Sequence, residues 1–199
     1  MKDALLRTQK DRLLAPFAQR FLAGTHPTWL SFLGAGIGLL SAGAVLQGAL
    51  GWGLAFWLVN RLLDGLDGLT ARLHGRGSDL GGYLDLMLDF LVYLAVPISF
   101  AVADPAPTRI WALIFLLASF QINALSWTLL AALLEKRRRA STRLTCLEMP
   151  PGLIEGAETV LFYSLFFLLP QAVASLFWIM GALVFVTAAQ RVWWAARRL

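Results

Sequence analysis

The chain has 199 residues, of which 58% are apolar and 15% charged, with 17 basic side chains against 12 acidic for a formal charge of +5; its mean hydropathy is +0.67. So few charges, against ~25% in an ordinary soluble domain, exclude a water-soluble globule, a disordered chain and a collagen-like repeat, and the single Cys146 excludes an intrachain disulfide framework. Positive charge in so apolar a chain reads as the cytoplasmic basic residues of a membrane protein, not as a nucleic-acid surface.

In chain order, residues 1–23 carry charges at Asp3, Arg7, Lys10, Asp11, Arg12 and Arg20 and so lack the apolar centre of a signal peptide. Leu5, Leu6, Leu13, Leu14, Phe17, Phe21 and Leu22 fall at helical spacing opposite the cations, which predicts an amphipathic helix lying on the inner membrane surface. A solvated lead-in interrupted at Pro16 is the alternative. Six apolar stretches follow, at about 28–48, 51–72, 80–103, 108–134, 152–170 and 171–194, each near the ~20 residues needed to cross ~30 Å of hydrocarbon.

Gly48 to Gly53, Gly75 to Ser78, Asp104 to Pro107, Pro150-Pro151 and Pro170 punctuate them, and Ser78 or Asp79 is placed to cap the third helix. The expected fold is therefore all-α: one polytopic membrane domain over residues 1–199, with the surface helix and a six-helix transmembrane bundle over about 28–194. With the N-terminus cytoplasmic, every basic residue except Arg109 falls on the inner side, which places both termini in the cytoplasm.

The acidic residues are where hydrocarbon should exclude them. Asp64, Asp67, Asp79, Asp85 and Asp89 crowd into positions 64 to 89, and a carboxylate at membrane depth costs a few kcal/mol unless it has a partner or a function. At ~100° per residue, Asp64 and Asp67 share one face of the second helix and Asp85 and Asp89 one face of the third. A short loop makes these helices antiparallel neighbours, so four carboxylates can converge near the cytoplasmic ends.

Such an oxygen-only set suits Mg²⁺, Mn²⁺ or Ca²⁺ better than zinc. The competing reading is ion pairing with Arg61 and Arg72, which share the face of Asp64, although two arginines cannot satisfy four carboxylates. Gly68 and Gly81, each four residues from an aspartate, leave room beside the acids for backbone to approach a ligand; Gly65 and Gly82 read as helix-packing residues.

The run Asp64-Gly65-Leu66-Asp67-Gly68-Leu69-Thr70-Ala71-Arg72, followed after eight residues by Gly81, then Asp85 and Asp89 at intervals of four, resembles the signature D-x2-D-G-x2-A-R-x8-9-G-x3-D-x3-D of the CDP-alcohol phosphotransferase (class I phosphatidyltransferase) family. The resemblance implies transfer of a phospho-alcohol group from a CDP-linked donor, with CDP-diacylglycerol the expected one, to a hydroxyl acceptor, releasing CMP. It implies that Asp64, Asp67 and Asp85 hold two divalent cations, Mg²⁺ or Mn²⁺, that Asp89 completes the metal site and acts as general base, and that Gly68, Ala71, Arg72 and Gly81 line the nucleotide pocket. It further implies a homodimer, for which the Gly34 to Gly38 face is a candidate surface, and a bacterial inner membrane location.

The acceptor is less legible. Glu155 and Glu158, in the Gly-Leu-Ile-Glu-Gly-Ala-Glu-Thr segment, are the candidates for its recognition. Gln121, Asn123, Gln190 and Arg191 read equally as an acceptor cavity or as interhelical hydrogen bonds. Three alternatives compete: a soluble CDP-alcohol donor with a lipid acceptor, a prenyltransferase with Asp-rich metal sites, and a divalent-cation transporter. Transport predicts acids spread through the membrane depth, whereas these cluster towards one side.

Overall fold

The computed structural model of the chain describes residues 15, 16, 20, 26–75, 77–140 and 152–199, with residues 138–140 described by their backbone alone. Among the described residues there is no strand. The helices are α1 (Pro27–Leu46), α2 (Leu50–Leu73), α3 (Asp79–Ala103), α4 (Pro107–Ala140), α5 (Gly156–Leu168) and α6 (Val173–Arg198), with a 3-10 turn, Pro170–Ala172, before α6. The surface helix expected over residues 1–23 falls almost wholly outside the described residues.

The local causes of these boundaries are visible in the sequence. Pro27 opens α1 in its first turn, where the missing N–H would have had no partner. Gly48 and Gly75 turn the chain after α1 and α2 with φ of 72° and 60°, a backbone region that glycine enters without a Cβ clash. Of the two expected caps of α3, Ser78 performs the task, its hydroxyl accepting from the Gly81 N–H at 3.0 Å.

Four segments are long and apolar enough to cross a membrane: Pro27–Leu46, Asp79–Ala103, Pro107–Arg137 and Pro170–Arg198. That is fewer than the six spans expected, for two reasons. Helix α2 has 24 residues, enough for ~36 Å, but Arg61, Asp64, Asp67 and Arg72 interrupt its apolar run. The stretch expected at 152–170 loses residues at both ends, to a capping arrangement before Gly156 and to the turn at Pro170, leaving α5 with 13 residues, or ~20 Å.

Helix α1 lies along both α2 and α3, α4 pairs with α6, and α5 rests mainly on α2. The core between them holds Trp57, Val92, Tyr163, Phe166 and Phe177, all fully buried, while Trp29, Leu40, Trp52, Trp111 and Leu129 point outward, an inverted surface suited to lipid. Glycines allow the closest approaches, as is usual where lipid supplies no hydrophobic drive for helix association. A Cβ at Gly38 would lie 2.6 Å from a methyl of Val92, and one at Gly34 3.5 Å from Leu63 Cβ, whereas Gly36 meets nothing within 4 Å. The Gly34 to Gly38 segment offered for a second protomer therefore spends Gly34 and Gly38 inside the chain.

Gly38→Ala should force α1 and α3 apart and lower stability by ~1–3 kcal/mol, the usual cost of overpacking, seen as a lower Tm in detergent. Gly36→Ala should leave the Tm unchanged or raise it, since alanine favours helix by up to ~1 kcal/mol.

Candidate active site and metal centre

Helices α2 and α3, expected to pack directly on one another, instead each lie against α1, and their aspartates reach one another across the shared cavity. One carboxylate oxygen from each of Asp64, Asp67 and Asp85 lies within 4.8 Å of the other two. Asp67 is the most deeply placed, 3% exposed, and is fixed by the Ser31 hydroxyl of α1, which donates to its Oδ2 at 2.7 Å. Like charges this close repel unless a cation lies among them, and an all-oxygen donor set of this spacing fits a hard divalent cation.

Asp89, expected as a fourth metal ligand, lines the same small polar cavity as the other three but gives its carboxylate to Arg61. Arg61 Nη2 lies 2.7 Å from Asp89 Oδ1 and Nη1 3.5 Å from Oδ2, while Asp64 is farther, at 3.9 Å. Ion pairing with Arg61 thus takes Asp89 closely and Asp64 more loosely, and the Asp64, Asp67 and Asp85 oxygens still converge.

Beside this cluster is an open cleft between the end of α2 and the starts of α3 and α1. Asp67, Gly68, Ala71, Gly81 and Asp85 line it, with Thr28 and Ser31 from α1. Three of the four residues expected to contact a nucleotide are therefore on its wall. The fourth, Arg72, is exposed and lies against Gly68, where a Cβ would stand 3.4 Å from its Nη1. A Cβ at Gly81 would meet the capping Ser78 hydroxyl at 3.0 Å, so a side chain there would compete with the cap for the space at the cleft.

Glu155 and Glu158 line neither the cleft nor the aspartate cavity. They build the N-terminus of α5 as a reciprocal capping box: Glu158 accepts from the Glu155 N–H at 3.2 Å, and Glu155 also accepts from the Gly152 N–H at 2.8 Å. Thr187 of α6 accepts the next two free amides, those of Leu153 and Ile154. Of the other polar groups, Arg191 donates to Asn123 Oδ1 at 2.5 Å across α6 and α4, an interhelical hydrogen bond.

Sequence reasoning passed over Ser31, Asn60 and Tyr93. Asn60 was within reach of it: a carboxamide on the aspartate face of an apolar helix, four residues before Asp64, is the kind of intramembrane polar group that marks a functional face. Ser31 and Tyr93 carry no such signal, since a serine or a tyrosine in a membrane helix is ordinary.

Comparison with known proteins agrees with this geometry. The sequence profile of the CDP-alcohol phosphatidyltransferase family matches residues 24–193. The inner membrane protein YnjF of Escherichia coli (strain K12) is 39% identical over 178 residues, covering 85% of this chain and 82% of YnjF. Among solved structures, the Mycobacterium tuberculosis phosphatidylinositol phosphate synthase PgsA1 with CDP-DAG bound superposes with a TM-score of 0.67 at 24% identity, over 91% of this chain and 92% of PgsA1. The same enzyme in complex with manganese and citrate gives a TM-score of 0.63 at 23% identity, over 94% of this chain and 87% of PgsA1. At these identities the superpositions establish the fold.

Proposed function

The chain belongs to the CDP-alcohol phosphatidyltransferase family and is a phosphotransferase, and from that premise we propose that it moves a phosphatidyl group from CDP-diacylglycerol to a hydroxyl acceptor, releasing CMP, in phospholipid synthesis. The observation that carries this reading is the convergence of the Asp64, Asp67 and Asp85 carboxylates on the wall of a cleft whose lining includes Gly68, Ala71 and Gly81. Binding of CDP-DAG by the PgsA1 relative supports the choice of donor, and its manganese complex supports the choice of metal.

Held by these carboxylates, two divalent cations, Mg²⁺ or Mn²⁺, would neutralise the pyrophosphate and stabilise the CMP leaving group. The chain's own groups do the rest. Gly68, Ala71 and Gly81 keep the cleft wall free of bulk so that backbone can approach the nucleotide, and Arg72 offers a planar fork to phosphate oxygens. Asp89 takes the proton from the acceptor hydroxyl as its oxygen bonds to the phosphorus and the anhydride bond to CMP breaks. Glu155 and Glu158 remain the candidates for acceptor recognition, from the capping box at the start of α5.

In this reading all six helices are membrane-embedded, residues 1–23 form the surface helix, and both termini and the cleft face the cytoplasm of a bacterial inner membrane. The likeness to YnjF, an inner membrane protein, supports that location. A donor lipid then keeps its chains in the bilayer while the nucleotide stays in water. The assembly is a homodimer, which cross-linking in membranes tests.

The decisive assay is CMP release by the purified protein with Mn²⁺ or Mg²⁺, offering CDP-diacylglycerol against glycerol 3-phosphate, inositol, inositol phosphate, serine and phosphatidylglycerol. The expected result is CMP and a new phospholipid with one acceptor, abolished by EDTA and restored by Mn²⁺. Activity only with a soluble CDP-alcohol and a lipid acceptor would reverse the donor assignment, and no CMP from any pair would overturn the transfer reading.

A further inference from the structure

Helices α4 and α6 pack on each other and line neither the aspartate cavity nor the cleft beside it. Between them runs a groove of about 580 Å³ with a wholly apolar wall, formed by Ile122 of α4 and by Phe185, Ala189, Val192, Trp193 and Ala196 of α6 among others. The alanines leave the space, and Val192 and Trp193 are exposed beside them. From Phe185 to Ala196 the groove follows α6 for ~16 Å at 1.5 Å per residue.

Cations close one end of it. Arg197, next in sequence to Ala196, lays its guanidinium over the Trp193 ring with Cζ 3.7 Å from the centroid, and Arg198 stands 5.1 Å from that of Trp194. From α4, Arg137 donates to the backbone carbonyls of Arg198, at 3.0 Å, and of Leu199, which ties the two helix ends together, and Lys136 beside it is exposed. Among the described side chains of α4 beyond Ile122 and of α6 beyond Phe185, Glu135 is the only acid.

Helix length sets the depth of these groups. Helix α4 has 34 residues, or ~51 Å, against ~30 Å of hydrocarbon and ~40–45 Å with the headgroups included. A helix that enters from the opposite face therefore carries Lys136 and Arg137 to the headgroup layer and leaves the groove in the acyl region beneath them. An apolar wall alone would accept any lipid chain. The guanidinium groups at its end add a choice of headgroup, because they offer paired donors to phosphate oxygens, and because basic clusters beside membrane helices attract lipids of net negative charge.

We propose that this groove binds an anionic phospholipid: one acyl chain lies along Ala189 and Ala196, and Arg197, Arg198 and Lys136 hold the phosphate and headgroup. The site is separate from the transfer site, and its test does not depend on turnover.

The test is native mass spectrometry of the full chain in detergent, titrated with phosphatidylglycerol, with phosphatidylcholine of the same acyl chains, or with inorganic phosphate. Phosphatidylglycerol should bind at least about tenfold more tightly than phosphatidylcholine, as two or more cations at roughly fivefold each would give, and inorganic phosphate should not be retained. Arg197→Gln and Arg198→Gln should each lower phosphatidylglycerol affinity roughly fivefold, the equivalent of ~1 kcal/mol, with phosphatidylcholine unchanged. Ala189→Phe, which fills the groove, should lower the affinity for both lipids.

All three substituted positions are exposed, and the wild type gives a reading that needs no substitution, since its binding of phosphatidylglycerol should weaken as ammonium acetate is raised. Equal affinity for the two lipids, or phosphatidylglycerol binding unmoved by the Arg197→Gln/Arg198→Gln double variant, would overturn the proposal. Retention of inorganic phosphate as tightly as phosphatidylglycerol would overturn it too, by making the cluster an anion site without a lipid in the groove. A change from dimer to monomer mass in Ala189→Phe with lipid binding intact would assign the groove to a second copy of the chain instead.

Discussion

Asp85→Asn is expected to reduce CMP release by at least about 10²-fold and to abolish the stabilisation of the protein by Mn²⁺. Asp85 is one of the three carboxylates whose oxygens lie within 4.8 Å of one another, and it also lines the open cleft, so it borders both the carboxylate cluster and the space beside it. A divalent cation contributes several kcal/mol of charge stabilisation in the transition state, and each ~1.4 kcal/mol lost is tenfold in rate.

The same change has a second, opposite-looking signature. In the absence of metal it removes one of three mutually repelling carboxylates, so the variant should be as thermostable as wild type or more so. Added Mn²⁺ should raise the wild-type Tm, because a ligand that binds only the folded state stabilises it by mass action, and should leave the Asp85→Asn Tm unmoved. Thermal unfolding in detergent with and without Mn²⁺, run beside the CMP assay, checks both. Asp79→Asn is the control: Asp79 is exposed in the first turn of α3 and lines neither cavity, so its activity should stay within about twofold of wild type. Unchanged activity in Asp85→Asn would remove the aspartate cluster from the reaction.

Asp89→Asn separates proton transfer from metal binding. Removing a positioned general base costs ~10²–10⁴ in rate, and that loss should appear in kcat, because Asp89 is not among the residues that line the open cleft beside the cluster. The Mn²⁺-dependent rise in Tm should persist. Asparagine keeps the size of the side chain, and its carboxamide oxygen can still accept from Arg61, so the change tests the charge and the proton affinity with the packing preserved. Equal losses of activity and of Mn²⁺ stabilisation in this variant would return Asp89 to the metal-ligand set.

The motif was legible because its chemistry runs against the solvent. An aspartate in a soluble helix means little, but Asp64, Asp67, Asp85 and Asp89 in apolar helices each carry a solvation cost, and their spacing alone puts each pair on one face. Ser78 as a cap and Gly68 with Gly81 as open positions followed from local rules that hold without tertiary context. Glu155 and Glu158 show the limit of the same logic: two acids near a membrane helix suggest a ligand, and the structure spends them on the backbone amides of residues 152 and 155 and on the start of α5. Glu is not among the residues that ordinarily cap a helix N-terminus, so local pattern did not point to this use.

Composition and hydropathy by themselves determined that the chain is apolar and built of membrane-length helices, and the period of the helix determined which aspartates share a face. Only the tertiary structure decided how the four divide. Three carboxylates converge because α1 lies against both α2 and α3 and brings their acidic faces to one cavity, and the fourth lines the same cavity paired with Arg61, which Asn60, Trp57 and Tyr93 hold in place. The physical reason is that helical periodicity fixes angles around one axis, whereas the distances between carboxylates on two helices depend on how the two axes are set against each other, and that setting comes from α1, where Gly34 packs on Leu63 of α2 and Gly38 on Val92 of α3, contacts that the sequence of either aspartate-bearing helix alone does not contain.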